Sequence, residues 1–593
     1  MSAEQTSMNQ LITDNIDIWT STVKTKSASG RGSSKKRELY GVKKLRELIL
    51  ELAVRGKLVP QDPTDEPASV LLERIAEEKA QLVKDKKIKK QKLFGEVRDE
   101  EALFELPLGW QWTRLSELSE IGPRNSDVED ESEASFVPMP MISTSYKGDH
   151  GSEVRSWKDI KKGYTHFRDG DIALAKITPC FENSKAAVFS DLKNGVGTGT
   201  TELHVARPIL GALEPLFVLL YLKAPMFLKV GETQMTGSAG QKRVPKDFFA
   251  GNPLPYPPLK EQHRIVAKVD ELMTLCDQLE QQTEASIEAH QVLVETLLAT
   301  LTNSQDATEL MANWARISEH FETLFTTEQS IDQLKQTILQ LAVMGKLVPQ
   351  DPNDEPAAKL LERIAIEKAQ LVNEKKIKKQ KALPPIANSE KPFELPEGWV
   401  WCRLDDICQG ITSGSTPPKS NFQELPGIPY LKVYNIRNQL IDFEYNPQFI
   451  DIECHSSKLA RSILYPGDVV MNIVGPPLGK IALIPDSYPE WNCNQAITFF
   501  RPIEPSLNRY IYTYLTTGTF LESIELIGTA GQDNISVTKS RSIVLPTPPL
   551  EEQSRIVRKV NDLLEICEQL KQRLRDSQQT QLQLTDAIVE QAL

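Results

Sequence analysis

The sequence predicts an α/β fold of mixed α+β type: two α/β domains separated by long antiparallel coiled-coil helices, arranged with pseudo-twofold symmetry. Three observations predict it. First, the chain contains two copies of one frame. Residues 52–92 recur as 341–381 with 34 of 41 positions identical, and the copy runs on from LPLGWQWTRL at 106–115 to LPEGWVWCRL at 395–404. A second block, PPLKEQHRIVAKVDELMTLCDQLE at 257–280, recurs as PPLEEQSRIVRKVNDLLEICEQLK at 548–571. Second, the stretches between these blocks barely resemble each other, yet both are rich in Gly, Pro, Thr and short β-type runs. Third, each second block opens a long heptad pattern. Similar frames holding dissimilar inserts describe one scaffold presenting two different surfaces.

The elements follow in order. LITDNIDIWTSTV near the start is helical, and KTKSASGRGSSKKR after it reads as a flexible basic linker near 24–37. A helix runs from Tyr40 to about Val54 and ends at Gly56. PQDPTDEP is a Pro/Asp turn, and Leu71–Lys84 forms a second amphipathic helix with Leu71, Leu72, Ile75, Ala76, Lys79 and Leu82 at 3–4 spacing. The lysine-rich tail KDKKIKKQK has two readings, a phosphate contact or a solvated helix end favoured by the C-terminal dipole. In the inserts, FVPMPMIS, DIALAKIT, KAAVF and ELHVARP, and then PYLKVYNI, DVVMNIVG, KIALIP and AITFF, read as strands, with a helix each around 214–230 and 507–524. RDGDIALAKI at 168–177 and YPGDVVMNIV at 465–474 are equivalent Gly-Asp turns entering buried strands, so the inserts share a fold while differing in surface. The heptad seams are Ile265, Val269, Leu272, Cys276 and Leu279, continuing through Leu293 and Leu297, and Ile556, Val560, Leu563, Cys567 and Leu570, continuing through Leu584 and Ile588. The expected partner of each seam is the other copy. These elements divide the chain into an N-terminal helical region (1–105), a first domain (106–255), a central region with spacer helix and helical repeat (256–394), a second domain (395–547) and a C-terminal spacer helix (548–593).

At 593 residues the chain is too long for one core, and its 40% hydrophobic and 25% charged content is that of a globular protein. MSAEQTSMNQ lacks the regions of a signal peptide, and no apolar run approaches the roughly 18 residues of a membrane span, so a cytoplasmic protein is expected. The seven cysteines include no CxxC pair, which indicates neither a disulfide framework nor a zinc site. A net charge of −12, with 17 basic against 18 acidic residues in 107–250 and 11 against 15 in 396–545, excludes a simple electrostatic clamp on nucleic acid. Any such contact must be local, or helped by partners.

The tandem GWxWxRL starts, the PLPPLxEQxRIV boundaries at 254–266 and 545–557, and GITSGSTPPK (410–419), GIPYLKVYNIR (427–437) and NQAI (494–497) together resemble the specificity (S) subunit of Type I restriction-modification enzymes. The LAVxGKLVPQDPxDEPAxxLLxRI repeat resembles the subfamily with long S subunits, often called IB. The resemblance covers the chain from about Leu39. It implies two target-recognition domains, each reading one half of a bipartite site in double-stranded DNA, with the helices setting the gap. It also implies two modification (M) subunits that bind S-adenosylmethionine and methylate adenine at N6, and restriction (R) subunits that use ATP and Mg. This chain would then bind no cofactor and carry no catalytic residue.

The residues agree with that absence. NPQF at 446–449 lacks the second proline of a methyltransferase motif and reads as a turn. GPPLGKI at 475–481 is one residue short of a P-loop and ends on Ile481 where a hydroxyl is needed. Cys454-His455 beside Asp451 and Glu453 reads as an exposed polar loop rather than a metal site. Base reading needs side chains offering paired hydrogen bonds, chiefly Arg/Lys for guanine and Asn/Gln for adenine. The candidates in the first domain are Ser143, Thr144, Tyr146, Lys147, Lys176, Asn183, Lys185, Gln241, Lys242 and Arg243. In the second they are Ser413, Ser415, Thr416, Lys419, Asn435, Arg437, Lys480, Asn494, Gln495, Gln532 and Asn534. The alternative reading is a non-catalytic coiled-coil scaffold that does not read DNA.

Overall fold

A computed structural model describes residues 8–26, 36–209, 211, 213–238, 240–475, 477–524 and 534–593. The chain divides into two compact units, Met1–Ser286 with Ser577–Leu593, and Ile287–Asp576.

In the first unit the repeat helix Tyr40–Val54 ends where Gly56 turns at φ +68°, and a Cβ there would overlap Pro107 and Trp110. That glycine lets the frame close on its own tryptophan. Ala68–Lys84 follows, and the lysine tail then leaves the helix, with Lys86 at φ +59°. The two ends of the expected flexible linker are paired, Lys24 standing opposite Glu38 in a short antiparallel ladder. The strand Gln111–Arg114 enters the insert and Pro253–Tyr256 leaves it, and the two pair antiparallel. Entry and exit therefore lie side by side, which is why the insert can vary without disturbing its frame.

Inside that insert Ser119–Ile121, Leu203–Pro208, Ile172–Ala175 and Ala186–Val188 form one antiparallel sheet in that order. Glu153–Ser156, Glu133–Val137, Val196–Gly199 and Thr165–Arg168 form a second, with one parallel pair. The apolar run at 216–222 lies in the helix Pro215–Lys223, buried along Phe217–Lys223.

The second unit repeats the plan. Glu328–Val343 and Ala357–Asn373 are its frame helices, Gly345 turns at φ +70° against Pro396 and Trp399, and Val400–Arg403 pairs with Val544–Thr547. Its insert has the same first sheet: Cys408–Ser413, Ile497–Pro502, Val469–Asn472 and Ile481–Leu483 in order. The Gly-Asp turns do one job in both. Buried Asp171 receives Arg207 at 2.8 Å, and buried Asp468 receives Arg501 at 2.6 Å. Frame contacts are also duplicated: Arg264–Asp65 at 2.7 Å and Gln61–Glu261 at 3.1 Å in the first unit, Arg555–Asp354 at 2.6 Å and Gln350–Glu552 at 3.1 Å in the second.

The long helices are Leu259–Asn303 and Leu550–Ala592, of 45 and 43 residues. The first five seam residues of each helix, Ile265 to Leu279 and Ile556 to Leu570, are buried or half-buried. Their neighbours include more than the other copy. In the second unit Cys567, Leu563 and Leu570 share a core with Ile331, Leu334 and Ile338 of the repeat helix, and with Val294, Leu298 and Leu301. Flanking ion pairs fix that face: Lys335–Glu568 and Lys571–Asp332 there, and Arg46 with Asp277 and Glu280 in the first unit.

The heptad breaks down further along. Leu293 and Leu584 are 49% and 44% exposed, while Val294 and Thr585, one residue later, are buried. An undistorted α-helix drifts about 20° per heptad, hence about 80° over four, close to the ~100° between adjacent residues. The buried face thus advances by one residue in both helices at the same repeat position. The heptad face is thus not kept in one register along the whole of each helix.

Candidate nucleic-acid interface

The first-domain candidates fall into three groups. Tyr146 and Lys147 are tied to the long helix: the Tyr146 hydroxyl donates to Asp270 at 2.6 Å, and the Lys147 ammonium stands 3.4 Å from the same carboxylate. Burial and that anion raise the Tyr146 pKa. Both residues dock the insert on its frame. Lys185 is likewise engaged, donating to the Met139 carbonyl at 3.0 Å. Ser143 caps a turn by accepting from the Ser145 N–H, and Thr144 beside it is exposed.

The second group surrounds the hairpin at 236–243. Thr236 and Arg243 bridge its ends, the Ser238 carbonyl accepts from Gln241 N–H, and Gln241 and Lys242 project into solvent. Arg243 is not free: its guanidinium holds both Glu202 oxygens at 2.9 Å, which keeps the Glu202 carboxyl below its usual range. Glu202 carried no signal in the sequence. Lys176 lies beneath this hairpin, since the Lys242 carbonyl accepts from Thr178 N–H and the Lys176 carbonyl from Val244 N–H. Asn183 stands apart and exposed.

In the second domain the family-like stretches converge. Gly414 donates to the Ile497 carbonyl and Ser415 to the Cys493 carbonyl, and a Cβ on Gly414 would collide with the carbonyls of Cys493 and Asn494. GITSGSTPPK and NQAI are therefore two sides of one surface. On it Thr416 bonds Gln495, Arg461 donates to the Ser415 hydroxyl at 2.9 Å, and Tyr430 donates to the Ser415 carbonyl at 2.7 Å. Arg461 and Tyr430 were missed, because only the tertiary fold brings them to Ser415. Ser413 sits in the strand opposite Thr498, and Lys419 is exposed.

Two side chains here stand out. The amide oxygens of Asn494 and Asn534 are buried and, among the described residues, have no hydrogen-bond partner. An asparagine amide is the adenine reader's chemistry. Asn435 is a correction. It is buried, accepts from Lys432 N–H and donates to the carbonyls of Asp442 and Tyr445, so no hydrogen-bonding capacity faces outward. Arg437 is exposed, stacked over Tyr445 at 4.2 Å and 3.6 Å from Asp442. Lys480 is half-buried in a turn closed by Asn472. Gln532 lies outside the described residues. Cys454 and His455, expected on an exposed loop, are buried in the helix Ile452–Ser456, where His455 meets Glu490 at 3.0 Å and Asn492 at 3.2 Å. Among the described residues no helix is long and apolar enough to cross a membrane.

The family described as Type I restriction modification DNA specificity domain matches residues 107–289 and 396–577. The chain belongs to this family. It is 54% identical to the Type I restriction enzyme EcoAI specificity subunit of Escherichia coli over 596 residues, 99% of this chain and 100% of that protein. It is 53% identical to the EcoEI specificity subunit of Escherichia coli over 598 residues, again 99% and 100%. Among solved structures it is similar to the HsdS subunit from Thermoanaerobacter tengcongensis, at 20% identity over 83% of this chain and 98% of that one, with a TM-score of 0.41. A Type I specificity subunit is not itself an enzyme.

Proposed function

We propose that this subunit directs a Type I restriction-modification complex to a bipartite DNA target, with segments 106–255 and 395–547 each reading one half and the long helices setting the gap. Two M subunits binding S-adenosylmethionine methylate adenine at N6, and R subunits add ATP- and Mg-dependent cleavage, all in the cytoplasm. The observation that carries this reading is the pairing of entry and exit strands around each insert, Gln111–Arg114 with Pro253–Tyr256 and Val400–Arg403 with Val544–Thr547. Such closure makes each insert a cassette whose surface changes independently of the frame. In the first domain the hairpin residues Gln241 and Lys242 are the leading readers. In the second they are Ser415, Thr416, Gln495 and the unpaired amides of Asn494 and Asn534.

The test is an exchange. Replacing 106–255 with the corresponding segment of another specificity subunit should change one half of the methylated sequence and leave the other half and the gap intact. A change in both halves contradicts the reading. A scaffold that does not read DNA would leave the methylated sequence unaltered by the exchange.

A further inference from the structure

The first recognition domain holds an open cleft of about 410 Å³ lined by Arg124, Lys176 and Lys246 together with His166 and His204. No carboxylate lines it. Of the nearby acids, Glu202 is held by Arg243 and Asp247 by Lys92, while Glu120 next to Ile121 lies within electrostatic reach of Arg207, Lys79 and Lys89. Among the described residues no ion pair neutralises Arg124, Lys176 or Lys246. Arg124 reaches only the Tyr164 carbonyl, at 3.3 Å. The histidines add no charge, because burial lowers both pKa values, His204 to about 4. Their ring nitrogens face the Val244 carbonyl in one case, and the Asn125 N–H and Lys161 carbonyl in the other. Three cations without an ion pair among the described residues, in one cleft of a chain with net charge −12, suit an anionic ligand.

The second domain keeps the same backbone here but, among the described residues, changes two of the lining side chains. Lys176 donates its N–H to the Glu202 carbonyl and accepts from Val244; Ile473 donates to Ala496 and accepts from Ile535. Buried Ile473 thus stands where Lys176 stands, and Thr498 where His204 stands, each second in its strand.

Building on the proposed function, we infer that this cleft seats the phosphodiester backbone of the DNA half-site bound by the first domain. Its openness suits a continuous strand better than an enclosed small anion. It also adjoins the candidate reading hairpin through Lys176 and Val244. On the opposite edge Gln91 donates to the Ile121 carbonyl at 3.2 Å, which lays the exposed Lys89 and Lys90 of the lysine-rich tail beside the cleft. Phosphate contacts position a protein on DNA without specifying sequence.

The experiment measures DNA affinity of the full complex with its methyltransferase subunits against salt concentration, for the wild type, Lys246→Gln, Lys176→Gln and the double variant. The slope of log affinity on log salt should shrink by about one for each lysine removed, with the methylated sequence unchanged. Lys158→Gln, which removes a lysine paired with Glu131 away from the cleft, should leave the slope alone. An unchanged slope in Lys246→Gln overturns the inference, and this exposed position keeps misfolding from confusing the result. An altered base in the first half-site would make these lysines base readers and also overturn it. So would competition by inorganic phosphate at constant ionic strength that disappears in the double variant, the behaviour of a small-anion site. Loss of any bipartite preference in the wild-type complex would instead strike the proposed function.

Discussion

Gly56 and Gly345 show how a single residue sets the frame. Each ends a repeat helix in the left-handed region, and each leaves no room for a side chain against the proline and tryptophan that open the following insert. Gly56→Ala or Gly345→Ala should cost at least about 1–3 kcal/mol in urea unfolding of the unit concerned; a neutral result at both would refute the packing argument. Glu101 gives a second residue-scale expectation. The Arg98 N–H and then the Arg114 guanidinium hold its carboxyl at about 2, against 4.5 ordinarily. Between those values the unfolded chain binds the extra proton, so this contact stabilises above pH 4.5 and its contribution is lost as pH falls toward 2. Glu101→Gln should therefore lose less stability over that interval than the wild type. Coincident acid profiles would show that Glu101 is not linked to folding. At this scale the sequence was least legible. Tyr146 and Asn435 carry the right chemistry for DNA, but their hydrogen bonds are consumed by Asp270 in one case and by Asp442 and Tyr445 carbonyls in the other. Side-chain type states what a residue can bond, and only the fold states what is left over. For the same reason the salt-bridged lysine and tyrosine offer a negative test: Tyr146→Phe and Lys147→Gln should leave the methylated sequence unchanged.

At the scale of elements, periodicity read well. The helix from Tyr40 to Val54, the buried run within Pro215–Lys223 and the shared Gly-Asp turns stand where spacing and turn chemistry put them. The exception is the far half of each long helix. Leu293 and Leu584 keep heptad spacing yet face solvent, because a straight helix rotates away from a strict seven-residue repeat. Nor could spacing announce that the repeat helix Glu328–Val343 would share the seam. Each long helix has its first and last parts in different units. Inserting four residues near Ser286 and near Ser577 should lengthen the gap in the target by one or two base pairs, since about 6 Å of helix is added against ~3.4 Å per base pair. An unchanged gap would end the proposal that these helices act as a ruler.

For the whole molecule, the repeat was the most legible feature and the charge balance the least. Two near-identical frames around unlike inserts announce the architecture in the sequence itself. An acidic total argued against an electrostatic clamp, and the structure refines that argument by concentrating unmatched cations in one cleft of the first domain. The two domains share the order of their first sheet while their candidate contact groups differ. The central claim is that this chain chooses the DNA sequence that its partners modify. The most direct measurement is a genome-wide map of N6-methyladenine in cells expressing the chain with its methyltransferase subunit, compared with cells lacking the chain. A single bipartite sequence with a fixed gap, methylated only when the chain is present, is the predicted result. A methylation pattern indifferent to its removal would contradict the account.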